Sequence, residues 1–157
     1  MANDIIIQNK TKKVEKSGTS SFLSESIQKQ LKLKLIENKK KVLVKKLEEA
    51  IIELIHSEDR QEYSEIPKYL SEKLNYNYNY IADIFSKIKG RTLKAFIITT
   101  KIERAKELLI KDEHSIAEIA SILHYKSVSH LSTQFKNVIG ITPSYFLASN
   151  FQSDRKK

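Results

Sequence analysis

The amino-acid sequence predicts an all-α protein in which two helix-turn-helix units are joined by one long helix and preceded by a helical extension. Three observations support this prediction. Only three glycines and two prolines occur in 157 residues, and strand-forming alternation is scarce. Apolar residues recur at spacings of three and four, as on one face of a helix. The second half of the chain also repeats itself.

Composition excludes several classes of protein. The chain has no cysteine, so disulfides, thiolate metal sites and cysteine nucleophiles are excluded. No stretch approaches the roughly eighteen apolar residues of a transmembrane helix, and residues 1–20 lack the apolar core of a secretory signal. We therefore expect a soluble, cytoplasmic protein without a membrane partner.

The charge distribution suggests a polyanionic partner. The formal net charge is +9, and it is divided unevenly along the chain. Residues 1–46 hold twelve basic against four acidic residues, residues 47–90 five against nine, and residues 91–157 eleven against six. Any phosphate-binding surface is therefore expected mainly towards the two ends.

The first 60 residues are predicted to form a flexible basic tail, 1–21, and a helical extension or connector, 22–60. Within the extension, residues 39–56 form the stronger helix, with apolar side chains on one face. Its interpretation as a packing helix competes with that of a homodimerisation or partner-docking helix. The predicted stripe consists of Val42, Leu43, Leu47, Ala50, Ile51, Leu54 and Ile55.

The repeat consists of two units, each with a short helix, a tight turn and a second helix. Residues 66–90 overlie residues 115–140 with an offset of 49, which rises to 50 after the turn. Gly90 and Gly140 stand where a helix can end in a left-handed residue. The side chains predicted to face inward are Tyr76, Ile81, Ile84, Phe85 and Ile88 in the first unit, and Leu131, Phe135 and Val138 in the second.

Capping signals delimit the remaining helices. Thr92 can cap a linker helix over 92–111, Ser115 with Glu118 forms a capping box, and Thr142-Pro143 opens a terminal helix. We thus predict a first unit at 61–91, a linker helix at 92–111, a second unit at 112–151 and a C-terminal tail at 152–157. The predicted buried stripe of the linker consists of Leu93, Phe96, Ile97, Ala105, Leu108 and Leu109.

A helix presented by a tight turn fits the major groove of DNA, which is wide enough for one α-helix and displays a distinct hydrogen-bonding pattern for each base pair. The outward positions of the two second helices are therefore the candidate base readers. They are Tyr78, Asn79, Ala82, Asp83 and Ser86 in the first unit, and Val128, Ser129, Ser132, Thr133 and Lys136 in the second.

Several stretches together resemble the AraC/XylS family of bacterial transcription regulators. They are Ser115-Ile-Ala-Glu-Ile-Ala, Tyr125, Leu131-Ser-Thr-Gln-Phe-Lys and Gly140-Ile-Thr-Pro-Ser-Tyr-Phe. In the first unit and linker, Tyr76, Ile81, Phe85, Gly90, Phe96-Ile97, Lys101-Ile102 and Ala105 are similar to the family's pattern. The resemblance covers roughly Ser64 to Phe151.

The resemblance implies a homeodomain-like tandem whose two recognition helices enter successive major-groove segments. By position, it assigns base reading to Asn79, Ala82 and Asp83, and to Val128, Ser129, Ser132 and Thr133, with Tyr78 also facing the groove. It assigns phosphate contacts to Lys87, Lys89, Arg91, Thr92, Lys101, Lys126, Lys136 and Thr142. The family also commonly carries a sensory domain, for which residues 1–60 offer no β-rich run.

The sequence departs from the family pattern in the candidate base-reading positions. Many members place arginine or glutamine there, whereas this chain has Ala82, Asp83, Ser132 and Thr133, and Lys101 replaces a usual arginine. We expect either a lower intrinsic affinity for DNA or a dependence of binding on the basic tails and a partner. The alternative is a protein-interaction module of this fold that docks on RNA polymerase or another regulator with little DNA specificity.

Catalytic and metal-binding functions are not expected. His56, His114, His124 and His130 share no metal-ligand spacing on one helix face, so packing or surface roles are predicted for them. No nucleophile–base–acid set and no glycine-rich phosphate loop appears, so the sequence predicts neither an enzyme nor a cofactor.

Overall fold

Seven α-helices form the part of the chain that the structure, a computed structural model, describes: residues 18–58 and 65–155. These ranges contain no strand, so the predicted all-α class is confirmed. No helix within them is both long enough and apolar enough to cross a membrane. The helices are α1 (Gly18–His56), α2 (Ile66–Leu74), α3 (Tyr78–Lys89), α4 (Leu93–Lys111), α5 (Ile116–Ile122), α6 (Val128–Ile139) and α7 (Pro143–Arg155).

Helix boundaries at the two ends of the chain differ from the prediction. Residues 1–17 of the predicted tail at 1–21 lie outside the described residues. Residues 18–21 belong to α1. α1 then runs without interruption to His56, because no proline or glycine after Gly18 breaks it. At the other end, α7 continues to Arg155, so most of the predicted tail at 152–157 is helical.

Two compact units divide the chain, and the division falls inside α1, after Val42. From Ser24 to Val42 no described side chain is buried. From Leu43 onward α1 contributes seven buried side chains to the core of the second compact unit, residues 43–157. The interpretation of this segment as a packing helix is therefore confirmed. Its predicted stripe needs one correction, because Val42 is 53% exposed and Val44 is buried instead.

Polar side-chain contacts join residues 43–56 of α1 to three other helices of the second compact unit. Glu48 Oε1 lies 2.8 Å from Lys89 Nζ of α3, and Glu53 Oε2 lies 2.6 Å from Lys73 Nζ of α2. His56 Nε2 lies 3.2 Å from Glu107 Oε2 of α4. The contact with Glu53 raises the pKa of Lys73. This segment of α1 is thus held to the helix-turn-helix region by both apolar and polar contacts.

The predicted capping residues form helix ends throughout the second compact unit, which begins at Leu43. Thr92 Oγ1 accepts a hydrogen bond from the backbone N–H of Ala95 at 3.1 Å, and Ser115 with Glu118 forms the predicted capping box. Pro143 is the first residue of α7. Gly90 and Gly140 end α3 and α6 at φ values of 70° and 95°, which L side chains rarely adopt.

The linker helix α4 is the shared element of the two helix-turn-helix units. It packs against α3 of the first unit and against α5, α6 and α7 of the second. Its buried residues are Leu93, Ile102, Ala105, Leu108 and Leu109, whereas the predicted stripe members Phe96 and Ile97 are only half-buried. Phe85 and Phe135 occupy matching positions and are fully buried, each beside an aromatic ring, Phe96 or Phe146.

Three residues that were predicted to face inward are exposed. Ile88 and Val138 lie in the last turns of α3 and α6 and are 38% and 37% exposed. Tyr76, in the turn of the first unit, is 47% exposed. Helical spacing predicted burial at Ile88 and Val138, but these positions are far more exposed than Phe85 and Phe135 one turn earlier.

Candidate nucleic-acid interface

Each unit presents the start of its second helix by a left-handed turn residue and a side-chain cap, with one more residue between them in the second unit. The turn residue that follows the first helix, Asn75 or His124, is left-handed, with φ values of 59° and 56°. The next helix is then capped by Asn77 or Ser127, whose side-chain oxygen accepts a backbone N–H at 2.9 Å or 3.0 Å. The repeat in the sequence is therefore a repeat in structure.

The eight predicted base-reading residues form two sets at the starts of these helices. We call Tyr78, Asn79, Ala82 and Asp83 the α3 row, and Val128, Ser129, Ser132 and Thr133 the α6 row. In the α6 row, Val128 is 42% exposed, Ser129 and Thr133 are exposed, and Ser132 is half-buried. The α6 row is thus largely open to solvent.

The α3 row is only partly open. Asn79 and Asp83 are exposed, but Tyr78 and Ala82 are half-buried and pack against the hydrophobic core. Burial also raises the pKa of the Tyr78 phenol. The prediction that all four side chains point outward therefore needs correction for Tyr78 and Ala82, which the core draws partly inward.

Hydrogen bonds restrict what the exposed members of the rows can recognise. Asp83 Oδ2 lies 2.8 Å from Lys87 Nζ, one turn further along α3. Thr133 Oγ1 donates to the backbone oxygen of Ser129 at 2.9 Å, so its lone pairs can accept but its proton is already used. Asp83 and Thr133 consequently offer acceptors, which suit the amino groups of cytosine and adenine, while Asn79 and Ser129 can also donate.

An aromatic pair stands beside each row at matching positions, a pairing that the sequence analysis did not predict. Tyr76 and Tyr80 stack with ring centroids 5.5 Å apart, and the Tyr125 and His130 rings meet edge-on at 5.2 Å. Tyr80 and His130 are exposed and related by the offset of 50 residues. That offset was the signal that could have identified them as a pair.

Half of the predicted phosphate contacts are engaged within the protein. Lys87 and Lys89 are ion-paired with Asp83 and Glu48. The guanidinium of Arg91 lies 5.0 Å from the centre of the Phe96 ring. Lys101 is half-buried, with Nζ 5.3 Å from the centre of the Tyr125 ring, and burial lowers its pKa.

The other four candidates for phosphate contact stand at exposed positions. Lys126 and Lys136 are exposed and form no ion pair with any residue in the ranges 18–58 and 65–155. Thr92 and Thr142 use their hydroxyl oxygens to cap α4 and α7. The two lysines beside the α6 row are therefore the ones most directly available to a polyanion.

The hydroxyl of Tyr125 is a buried polar group without a hydrogen-bond partner among the described residues. Burial raises the pKa of this phenol to about 12. The ring itself contacts Lys101 on α4 and His130 on α6. Tyr125 thus joins the linker helix to the second helix of its unit through its ring.

We expect Tyr125→Phe to raise the free energy of unfolding by about 1 kcal/mol, because it removes an unsatisfied buried hydroxyl while keeping the ring. Because the pKa of Tyr125 in the folded state is raised above its ordinary value near 10, wild-type stability should fall as pH rises from 10 towards 12. The variant should lose this part of the decline. Urea denaturation at pH 8 and pH 11 measures both effects, with Tyr145→Phe, at a 64% exposed position, as control. A variant less stable than wild type at pH 8 would contradict the prediction.

Three of the four histidines line one cleft of about 320 Å³ between the end of α1, the linker helix and the second unit. His56, His114 and His124 share this cleft with Arg104, whose guanidinium lies 2.9 Å from Glu107 Oε2. Arg104 and then His56 hold the pKa of Glu107 below its usual value. Within residues 18–58 and 65–155, no group of three metal-ligating side chains could hold a metal ion.

The arrangement defines a class of protein. Two helix-turn-helix units share a linker helix, and each presents a capped second helix with exposed polar side chains, which is the architecture of a double helix-turn-helix DNA-binding domain. Residues 70–149, about half of the chain, match a family model described as a helix-turn-helix domain. The chain belongs to this family, the AraC-type helix-turn-helix regulators, so the resemblance is confirmed.

Curated relatives are bacterial regulators. An uncharacterized HTH-type transcriptional regulator, YtdP of Bacillus subtilis, is 29% identical over 102 residues, 65% of this chain and 13% of the relative. The Msm operon regulatory protein of Streptococcus mutans is 32% identical over 77 residues, 49% of this chain and 28% of the relative. The chain thus matches less than a third of the length of either protein.

Solved structures share the fold. The C-terminal domain of the two-component response regulator yesN from Fusobacterium nucleatum is 31% identical, with a TM-score of 0.53 over 66% of this chain and 96% of that domain. The C-terminal domain of AraT, a response regulator from Geobacillus stearothermophilus, gives a TM-score of 0.56 at 24% identity over 68% of this chain and 84% of that one. The second likeness shows the fold alone.

Proposed function

We propose that this chain binds double-stranded DNA sequence-specifically and regulates transcription by inserting α3 and α6 into successive major-groove segments. The observation that supports this most directly is the pair of matched, capped helices with exposed polar residues at their starts, within a chain of the AraC-type family. The DNA-binding domain of AdpA, which has this fold at a TM-score of 0.56 and 19% identity over 73% of this chain, was solved with a target DNA.

The two rows are proposed to contribute unequally to base reading. The α6 row is open and is flanked by Lys126 and Lys136, whereas half of the α3 row packs against the core and its carboxylate is paired with Lys87. We therefore assign most of the sequence discrimination to Ser129 and Thr133. The α3 row would contribute through Asn79, whose amide can pair with adenine, and through Asp83, which can accept from cytosine.

The family match does not favour the alternative of a protein-interaction module without groove reading. We propose no catalytic role, since the family is one of DNA-binding regulators. A DNA ligand would place the site of action at the nucleoid of a bacterial cell. Contact with RNA polymerase remains a further proposal, and a homodimer through residues 39–56 would have to use exposed side chains such as Val42 and Ile52.

The domain boundary proposed from the structure differs from the predicted one at residue 61. Because α1 contributes seven buried side chains from Leu43 onward, we propose that the DNA-binding domain begins near Leu43. Residues 61–91, 92–111 and 112–151 remain the predicted first unit, linker and second unit within it.

Selection from a genomic DNA pool tests the function. At about physiological salt, we expect the purified chain to retain a defined site with a dissociation constant near 10⁻⁸ M. Ser129→Ala and Thr133→Ala should each lower the preference for this site over random duplex by about five- to tenfold, because a base contact is lost. Lys136→Ala should weaken both duplexes alike and make the salt dependence shallower by about one phosphate contact. Equal losses on both duplexes for every variant would refute the assignment of base readers.

A further inference from the structure

The lysine-rich part of α1, residues 24–42, is an exposed surface that the proposed base-reading site does not include. Every residue from Glu25 to Val42 is exposed. This stretch holds six lysines, at positions 29, 32, 34, 39, 40 and 41, against two glutamates, Glu25 and Glu37. No ion pair within the described residues joins any of these lysines to a carboxylate. The stretch therefore has a net charge of +4, and its lysines are unpaired among the described residues.

Four of the six lysines lie on one side of the helix. At about 100° per residue, Lys29, Lys32, Lys39 and Lys40 fall within an arc of roughly 100°. We call these four residues the lysine face. Lys34 and Lys41 lie on roughly the opposite side, and each of the pairs 32/39 and 34/41 is separated by seven residues, or about 10 Å along the axis.

Positive charge is much less concentrated in the part of the chain that follows. Residues 43–157 hold eighteen basic against fifteen acidic residues, a net of +3 over 115 residues, whereas residues 24–42 hold six against two, a net of +4 over 19 residues. Many of the basic side chains after Leu43 are also neutralised locally. Those in ion pairs are Lys68, Lys73, Lys87, Lys89, Arg104 and Lys106.

We propose that the lysine face is a second DNA-binding surface, which contacts duplex phosphates outside the bases read by the α6 row. This inference rests on the proposed function, which supplies the polyanion. A duplex carries one phosphate charge per roughly 1.7 Å of axis, so an exposed lysine row gains affinity by releasing counterions, whatever the sequence. The surface compensates for the ion-paired lysines of the domain that follows.

Membership in a family of DNA-binding regulators favours DNA over an anionic membrane as the partner of the lysine face. A helix that lies in a membrane interface collects its apolar residues on one face. Here the exposed Ile27, Leu31 and Leu35 fall within an arc of roughly 80° outside the lysine face, whereas Ile36 lies within it. The experiment therefore includes anionic vesicles beside DNA.

The test compares two charge-matched double variants of the full chain. K32Q/K39Q alters the lysine face, and K34Q/K41Q removes the same charge from the other side of the same helix. Binding is measured between 50 and 300 mM salt on the selected site alone and on a duplex with about 20 additional base pairs at each end. On the long duplex we expect K32Q/K39Q to make the logarithmic salt slope shallower by 1 to 2, and K34Q/K41Q to change it by less than half as much.

The outcomes separate this inference from the proposed function. If wild-type protein selects a site but both double variants keep its slope, the lysine face is not a DNA contact and only this inference fails. Equal reductions by both variants would show an effect of net charge alone and would also overturn it. Binding to phosphatidylserine vesicles that K32Q/K39Q abolishes, with DNA slopes unchanged, would assign the surface to a membrane instead. If wild-type protein binds no duplex at all, the proposed function fails and the inference fails with it.

Discussion

Replacement of Leu47 with alanine is expected to lower the free energy of unfolding of residues 43–155 by about 2–5 kcal/mol. Leu47 is fully buried, and truncation of a buried leucine loses both transfer free energy and packing around the resulting cavity. The prediction matters because Leu47 lies in α1, ahead of the two helix-turn-helix units. A loss of this size in urea denaturation would show that residues 43–56 of α1 are part of the DNA-binding domain.

Ile52→Ala is the matched control for Leu47→Ala. Ile52 lies in the same segment of α1 but is 44% exposed, so its truncation should cost less than about 1 kcal/mol. If both variants unfolded at the wild-type midpoint, residues 43–56 would be an appendage, as the predicted boundary at residue 61 has it. Because a destabilised domain cannot hold its recognition helices, Leu47→Ala should also weaken DNA binding at temperatures where Ile52→Ala binds normally.

Local chemistry in the sequence was sufficient to predict the helix ends of the double unit. The capping box of Ser115 and Glu118, the cap at Thr92 and the left-handed glycines depend on residues within a few positions of one another. The structure has each of these features at the residues for which the sequence predicted it. The internal repeat then predicted two similar units, and the buried Phe85 and Phe135 confirm their correspondence.

Features that depend on distant parts of the chain were not predicted. The pairing of Lys89 with Glu48 joins positions 41 residues apart, and no periodicity reports it. Ile88 was placed inward because helical spacing defines a side of a helix but not how far its neighbour extends along it. Tyr78 was predicted to face outward for the same reason, but its side chain is half-buried and packs against the core. The composition of the candidate site was therefore available from the sequence, while its unequal exposure required the fold.

Introducing a carboxylate into the α6 row and removing the one in the α3 row should change the affinity for DNA in opposite directions. Asp83 and Thr133 occupy matching positions, 50 residues apart. We expect Thr133→Asp to weaken binding to every duplex by about 10- to 100-fold, since a carboxylate in the groove repels nearby phosphates by roughly 1–3 kcal/mol. We expect Asp83→Thr to strengthen binding by a smaller factor, because the charge it removes is already partly compensated by Lys87 at 2.8 Å.

The asymmetry of this exchange follows from the next turn of each helix. One turn beyond Asp83 stands Lys87, which pairs with it, whereas the position four residues after Thr133 is Asn137. The lysine three residues after Thr133 is Lys136, which is proposed to contact phosphate, so a carboxylate at position 133 would compete with that contact. Fluorescence anisotropy on the selected duplex and on random duplex, at two salt concentrations, measures both effects, with Ala148→Asp as a control that adds charge at an exposed position of α7. The loss caused by Thr133→Asp should shrink at high salt, because ions screen the repulsion. If Thr133→Asp bound as tightly as wild type while Ala148→Asp did not, α7 rather than α6 would face the DNA, and the base-reading role of the α6 row would have to be abandoned.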